Sequence, residues 1–164
     1  MTTDIPTVNR SPLFLYELLV SACIAGFAAY DLRKRRVPDR ALLLFLPFAL
    51  MAPLVRTRLL GTALLLPLFL FSFTGAAAGF LVLLSAAMIS KEGAGIGGGD
   101  IKLAGVMGFI YGPSRMLAIL LIASGLAACI SLAAGRKRKE GRFSLPFVPF
   151  LMAGSLAVTL AAFF

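Results

Sequence analysis

Gly93-Ala94-Gly95-Ile96-Gly97-Gly98-Gly99-Asp100-Ile101-Lys102-Leu103 decides how this chain is read, because it sets one acid and one base in a glycine-rich turn between hydrocarbon runs. Five of the seven residues 93–99 are glycine. Backbone without Cβ atoms admits close approach by another chain, or a positive φ. Asp100 then opens the apolar run 101–111, which predicts a carboxylate at a helix N-terminus, where free N–H groups and the helix dipole favour negative charge. A structural cap satisfies that pattern by itself. A second acid adds weight: Asp31 closes the first apolar run and is followed at once by Leu32-Arg33-Lys34-Arg35-Arg36. Two carboxylates at the boundary between apolar and charged sequence outline a site.

The 164 residues are 60% hydrophobic with a mean hydropathy of +0.96, too apolar for a soluble domain of this length. The expectation is one all-α polytopic membrane domain over residues 1–164, with residues 1–10 a polar tail and the lipid bilayer its surroundings. The net charge of +9 does not point to nucleic acid. The basic residues fall into two short clusters beside apolar runs, the pattern of cytoplasmic loops. Cys23 and Cys129 lie alone in apolar segments, without metal-ligand spacing, and read as small buried hydrophobes. Histidine is absent, which removes Ser-His-Asp, Cys-His and His-ligated metal chemistry and leaves carboxylates, Lys and Ser as catalysts. No metal is expected.

The first apolar run, 11–30, carries its basic residues after it rather than before it, so it reads as an anchor with its N-terminus outside rather than a secretory leader. Glu17 falls near its outer end and reads as interfacial or helix-paired. Val37-Pro38-Asp39 restarts a helix over about 40–55, with Asp39 its N-cap. Residues 56–90 exceed one span, and Pro67, Ser72 and Gly75 offer places to divide them into an interfacial piece and a full helix. Charge decides the parity. With a single crossing there, 12 of the 16 Lys/Arg share one side with Asp31 and Asp100. Two crossings place Asp100 and the basic cluster 136–142 outside, against the positive-inside rule.

The run 100–112 gives roughly 20 Å of helix against a ~30 Å hydrocarbon core, so its start is recessed beneath the surface. Pro113 suits the first position of the next span, about 114–134. Phe143-Ser144-Leu145-Pro146-Phe147-Val148-Pro149-Phe150 leads into a last span to Phe164. The sum is six spans with both termini outside. Gly93-x-Gly95-x-x-Gly98 matches a dinucleotide fingerprint only literally, since it follows a membrane helix rather than a strand. Pro146 and Pro149 read as turn residues at a helix start.

An ionisable group inside a membrane is costly and functional by default. If Asp31 and Asp100 face each other, repulsion and low dielectric make them share a proton, an arrangement suited to acid–base catalysis of peptide hydrolysis. A peptide must be locally extended to be cut, and a glycine-rich edge can hold it by strand-like pairing. Gly97, Gly98 and Gly99 are therefore candidates for substrate contact or loop support. Lys102, two residues on, either favours an ionised Asp100 or snorkels to the interface.

Tyr30-Asp31 with its basic loop and Val37-Pro38, then Gly97-Gly98-Gly99-Asp100-Ile101-Lys102-Leu103, then Pro146-Phe147-Val148-Pro149-Phe150, together resemble the prepilin peptidases, GxGD aspartyl proteases of bacterial and archaeal membranes. The resemblance covers about residues 21–164. It implies six spans, a catalytic pair Asp31 and Asp100 at the cytoplasmic boundary, and removal of a short basic leader from pilin-like precursors just before their hydrophobic segment. It gives Pro146 and Pro149 a supporting place. Asp39 stands where the family often has Asn. The larger members' zinc-binding, methyl-transferring region has no counterpart, so the chain is similar to the short peptidase-only form of Tad/Flp-like pili or archaeal filaments. No cofactor is expected, since the loops 32–39 and 135–143 are too short to enclose one. Presenilins and signal peptide peptidases share the Tyr-Asp and GxGD signatures in longer chains, and a proton-coupled transporter is the reading from another class. The oligomeric state is not set by the sequence.

Overall fold

The computed structural model describes residues 11–34, 39–60, 62–89, 97–135 and 146–163. The polar tail 1–10, Val37-Pro38, Gly93, Gly95 and the basic cluster 136–142 lie outside them. Among the described residues the chain forms six α-helices and no strand: α1 Ser11–Lys34, α2 Asp39–Leu60, α3 Leu65–Ile89, α4 Gly98–Tyr111, α5 Pro113–Gly135 and α6 Val148–Phe163, with a 3₁₀ turn at Thr62–Leu64 before α3. Four of them, α1, α2, α3 and α5, are long and apolar enough to cross a membrane, and α6 is a shorter apolar helix. The outward faces are hydrocarbon, with Leu44, Met88, Ile89 and Leu121 all largely exposed. Buried polar groups such as Glu17, Asp31, Ser72 and Ser155 lie inside. That inversion is the signature of a protein whose solvent is lipid, and the chain is a multi-pass membrane protein.

Local chemistry sets the element ends. α1 runs past Tyr30 to Lys34, because Arg33 and Lys34 in its last turn complement the negative end of the helix dipole. Asp31 is thus in the last turn of α1 rather than beyond its end. α2 continues through Pro47 and Pro53 to Leu60, longer than the expected 40–55. The division of 56–90 falls at the 3₁₀ turn, not at Pro67, Ser72 or Gly75. Pro67 is the third residue of α3, where its missing N–H costs nothing. Pro113 opens α5 as expected, directly after Gly112, whose φ of 80° ends α4.

α3 and α4 pack on each other most closely. A Cβ on Gly75 would overlap the Gly108 backbone, and one on Gly108 would overlap that of Gly75; a Cβ on Gly79 would meet the carbonyl of Ala104. Small residues let these backbones touch, the usual means of holding helices together where lipid offers no hydrophobic drive. The short α4 is thereby fixed against α3. α1 packs on α6, and α6 on α5, while α1 and α2 touch only lightly. Cys23 and Cys129 face outward rather than being buried. Helices that are apolar all round give no sequence signal to separate a lipid-facing side from a core-facing one.

Candidate active site

Asp31 is buried, 4% exposed, on the inner face of α1 that also carries Val20, Ile24 and Ala28. Its partner comes from the other end of the chain. Phe150 and Leu151 both donate to the Phe147 carbonyl, at 3.1 and 3.2 Å, so Phe147 caps α6 and Val148 is its first residue. Pro149, in second position, has no N–H to offer. The free Val148 N–H is a first-turn donor, and it bonds the Asp31 carboxylate. Pro146 and Pro149 thus shape the start of α6 so that a backbone donor and the positive end of a helix meet Asp31. The second oxygen, Oδ2, is buried without a partner.

Asp100 is the third residue of α4 rather than its cap. Gly97 occupies the cap position in extended backbone, and its carbonyl accepts from the Asp100 N–H at 3.0 Å. The Asp100 carboxylate turns back to the Gly97 N–H, which is half of a capping box, since glycine has no side chain to return the bond. The charge of Asp31 acts directly on Asp100, so the two acids, 69 residues apart in sequence, lie at the same end of the bundle within electrostatic reach. Packing does not call for glycine at 97 or 98. A Cβ at Gly97 would make ordinary contact with Asp100 at 3.6 Å, and one at Gly98 would meet nothing within 4 Å. The backbone beside Asp100 is left open to an incoming group.

Lys102 does not serve Asp100. Its ammonium pairs with Asp39 at 2.8 Å, both side chains more than half exposed, so Asp39 ties the start of α2 to α4. An exposed pair of this kind is worth little. The sequence reading also missed a second polar cluster at the opposite end. Glu17, 1% exposed, is held by Arg115 at 2.6 Å, so it is helix-paired, as one of the two expectations had it. Arg56 donates to the Ile110 carbonyl at 2.5 Å, satisfying the C-terminal turn of α4. The Tyr16 hydroxyl donates to the Phe48 carbonyl at 2.9 Å. Glu17 is 14 residues from Asp31 on α1, about 21 Å along the axis, so this cluster cannot touch the dyad. Arginines inside apolar runs were the available signal. No group of three or more His, Cys, Asp or Glu among the described residues is placed to hold a metal ion.

Residues 18–132 match the type IV leader peptidase family. The chain belongs to that family. The matched stretch contains both aspartates and the glycine turn, and ends within α5, before Pro146 and Pro149. A prepilin leader peptidase/N-methyltransferase of Bacillus subtilis (strain 168) is 37% identical over 136 residues, covering 81% of this chain and 50% of the relative. The chain thus spans about half the length of the curated relative that it matches. No solved structure matches it.

Proposed function

We propose that this chain is a membrane aspartyl endopeptidase that removes the basic leader from type IV pilin-like precursors, with Asp31 and Asp100 as its acid–base pair. The observation that supports the reading is that two carboxylates, from α1 and α4, lie within electrostatic reach of each other at one end of a helical bundle in a leader peptidase family member. Family membership also weighs against the transporter and presenilin-like alternatives. All six helices cross, the termini lie outside and the dyad faces the cytoplasm. This orientation is supported by the 12 of 16 Lys/Arg that it places on the inner side. The 14-residue α4 extends about 21 Å and therefore begins below the inner surface.

In the reaction, one aspartate is ionised and the other protonated. The ionised carboxylate takes a proton from a water as its oxygen attacks the scissile carbonyl carbon, while the protonated one donates to the carbonyl oxygen. The tetrahedral intermediate collapses as the leaving nitrogen receives a proton from the dyad, freeing the leader's new carboxylate and the mature amine. The Val148 N–H fixes Asp31 for this work. The exposed start of α4 at Gly97 and Gly98, with no side chain in the way, gives an extended substrate close access to Asp100. Gly99 belongs to the same turn, and Pro146 and Pro149 act through Val148.

The reaction needs no cofactor. Purified protein in lipid, mixed with a prepilin, should release the leader without metal or S-adenosylmethionine. It should leave an unmethylated amine, as read by mass spectrometry of the new N-terminus. Intact precursor after incubation with folded protein overturns the assignment. A methyl group added by this chain alone overturns its restriction to peptidase chemistry.

A further inference from the structure

Among the described residues, two of the apolar grooves on the outer surface of the bundle differ in their relation to the aspartates. The larger, about 730 Å³ between α2, α3 and α4, has Lys102, Gly105, Val106 and Phe109 on its α4 wall. Those residues recur at i, i+3, i+4 and i+7 and so mark one face of α4. Asp100, two residues before Lys102, lies about 200° round the helix, on the opposite face. The Lys102–Asp39 pair also crosses the inner mouth of this groove. A chain lying there is directed away from the acid.

The other groove, about 500 Å³ between α1 and α2, is lined by Cys23, Gly26, Phe27 and Tyr30 on α1 and by Phe45 and Phe48 on α2. Its α1 residues again mark a single face, and that face ends at Tyr30. Asp31 is the next residue, about 100° round, at the border between the groove and the buried interior. The lining is aliphatic and aromatic, with Phe27 and Phe45 in edge contact and Phe45 and Phe48 stacked. Gly26 keeps the groove open, since a Cβ there would meet nothing within 4 Å. α1 and α2 are lightly packed, so the groove can take a partner helix without breaking a tight interface.

We infer that the α1/α2 groove receives the hydrophobic segment of the precursor, as a helix, and so aligns the scissile bond with Asp31; this rests on the peptidase reading above. A bond cut at the level of Asp31 has its following residues at membrane depth, where backbone polar groups must pair internally and the segment is helical and apolar. Such a helix needs an apolar groove that begins at the acid and runs toward the outer surface. The α1/α2 groove ends at Tyr30, the residue next to Asp31, whereas the α4 wall of the larger one faces away from Asp100. Recognition then has two parts, close approach of the scissile segment to Asp100 over the side-chain-free backbone at Gly97 and Gly98 and side-chain packing on Phe27, Phe45 and Phe48.

Cys23 supplies a test. With Cys129→Ser, it is the sole thiol of the chain; adding Asp100→Asn keeps a bound precursor uncut. The probe is a type IV prepilin that the unmodified protein has been shown to cleave, with single cysteines placed through the first helical turns after the scissile bond. Cys23 lies eight residues from Asp31, about 12 Å along α1. Disulfide cross-linking should therefore peak about eight residues beyond the scissile bond and repeat at helical spacing. In the active protein, Gly26→Leu should raise KM about tenfold and leave kcat within about twofold. Gly26→Leu protein that is folded and has an unchanged KM overturns the inference. So does a cleaved prepilin that fails to cross-link to Cys23, whether it links instead to a cysteine at Ala77 in the larger groove or, with lipid filling both, to neither. If the unmodified protein cleaves no prepilin, the peptidase reading fails first and takes this inference with it.

Discussion

Arg115→Gln should destabilise the protein more than Glu17→Gln does, and the difference follows from where the two charges sit. Glu17 is 2% exposed at its side chain and Arg115 35%, with 2.6 Å between Nη1 and Oε1. Removing Arg115 strands a carboxylate that the bundle encloses and whose Oε2 already lacks a partner. Breaking a fully buried pair in this way costs about 3–5 kcal/mol. Arg115 is partly exposed, and Arg56 remains close enough to act on Glu17, so about 2–3 kcal/mol is expected. Removing Glu17 instead leaves two arginines, Arg115, whose long side chain can turn to the headgroups, and Arg56, which keeps the Ile110 carbonyl as its acceptor, at about 1 kcal/mol. In the double variant the stranded charge is gone, and the loss returns to within about 1 kcal/mol of Glu17→Gln alone. Reversible unfolding in mixed micelles, followed by circular dichroism, measures all three. Folded Glu17→Gln protein should cleave at close to the wild-type rate, because the cluster lies about 21 Å from Asp31 along α1. Additive losses, or Glu17→Gln the worse of the two, would refute the reasoning.

Gly75→Ala and Gly108→Ala should each cost about 2 kcal/mol or more, since the new methyl group meets facing backbone that has no side chain to move aside; the same unfolding assay reads the loss. Gly98→Ala should leave stability unchanged or slightly higher, because its Cβ meets nothing and alanine favours helix, yet slow cleavage by about tenfold if substrate backbone lies there. Asp39→Asn should change stability by no more than about 1 kcal/mol, as an exposed pair contributes little. Cysteines at Arg35, Ala94 and Lys139, in a background lacking Cys23 and Cys129, should all be shielded from an impermeant thiol reagent in intact cells. Labelling at Ala94 and Lys139 alone would place the two aspartates on opposite sides.

Much of this architecture was legible because membrane helices are punctuated by few residues with strong local effects. Pro113 after Gly112 marks the α4–α5 turn by backbone geometry alone. Asp31 and Asp100 stand out because acids are rare in such a background. The partners of the polar groups were not legible. Asp31 is held by a backbone N–H of α6, which leaves no residue-type signature, and Lys102 chooses Asp39 across 63 residues. Glu17 finds Arg115 over 98 residues. The outward placement of Cys23 escaped the sequence for a related reason: where every face is apolar, periodicity does not say which one meets lipid.

The central claim is that Asp31 and Asp100 form one catalytic unit, and the most direct measurement is prepilin cleavage by Asp31→Asn, Asp100→Asn and the double variant, each checked for folding in the membrane. An amide keeps the size of the side chain but cannot pass a proton. Both single variants should lose turnover by at least about a thousandfold, and the double variant should lose little more, because residues acting as a unit are not additive. A folded Asp31→Asn or Asp100→Asn protein that cleaves at close to the wild-type rate would contradict the account.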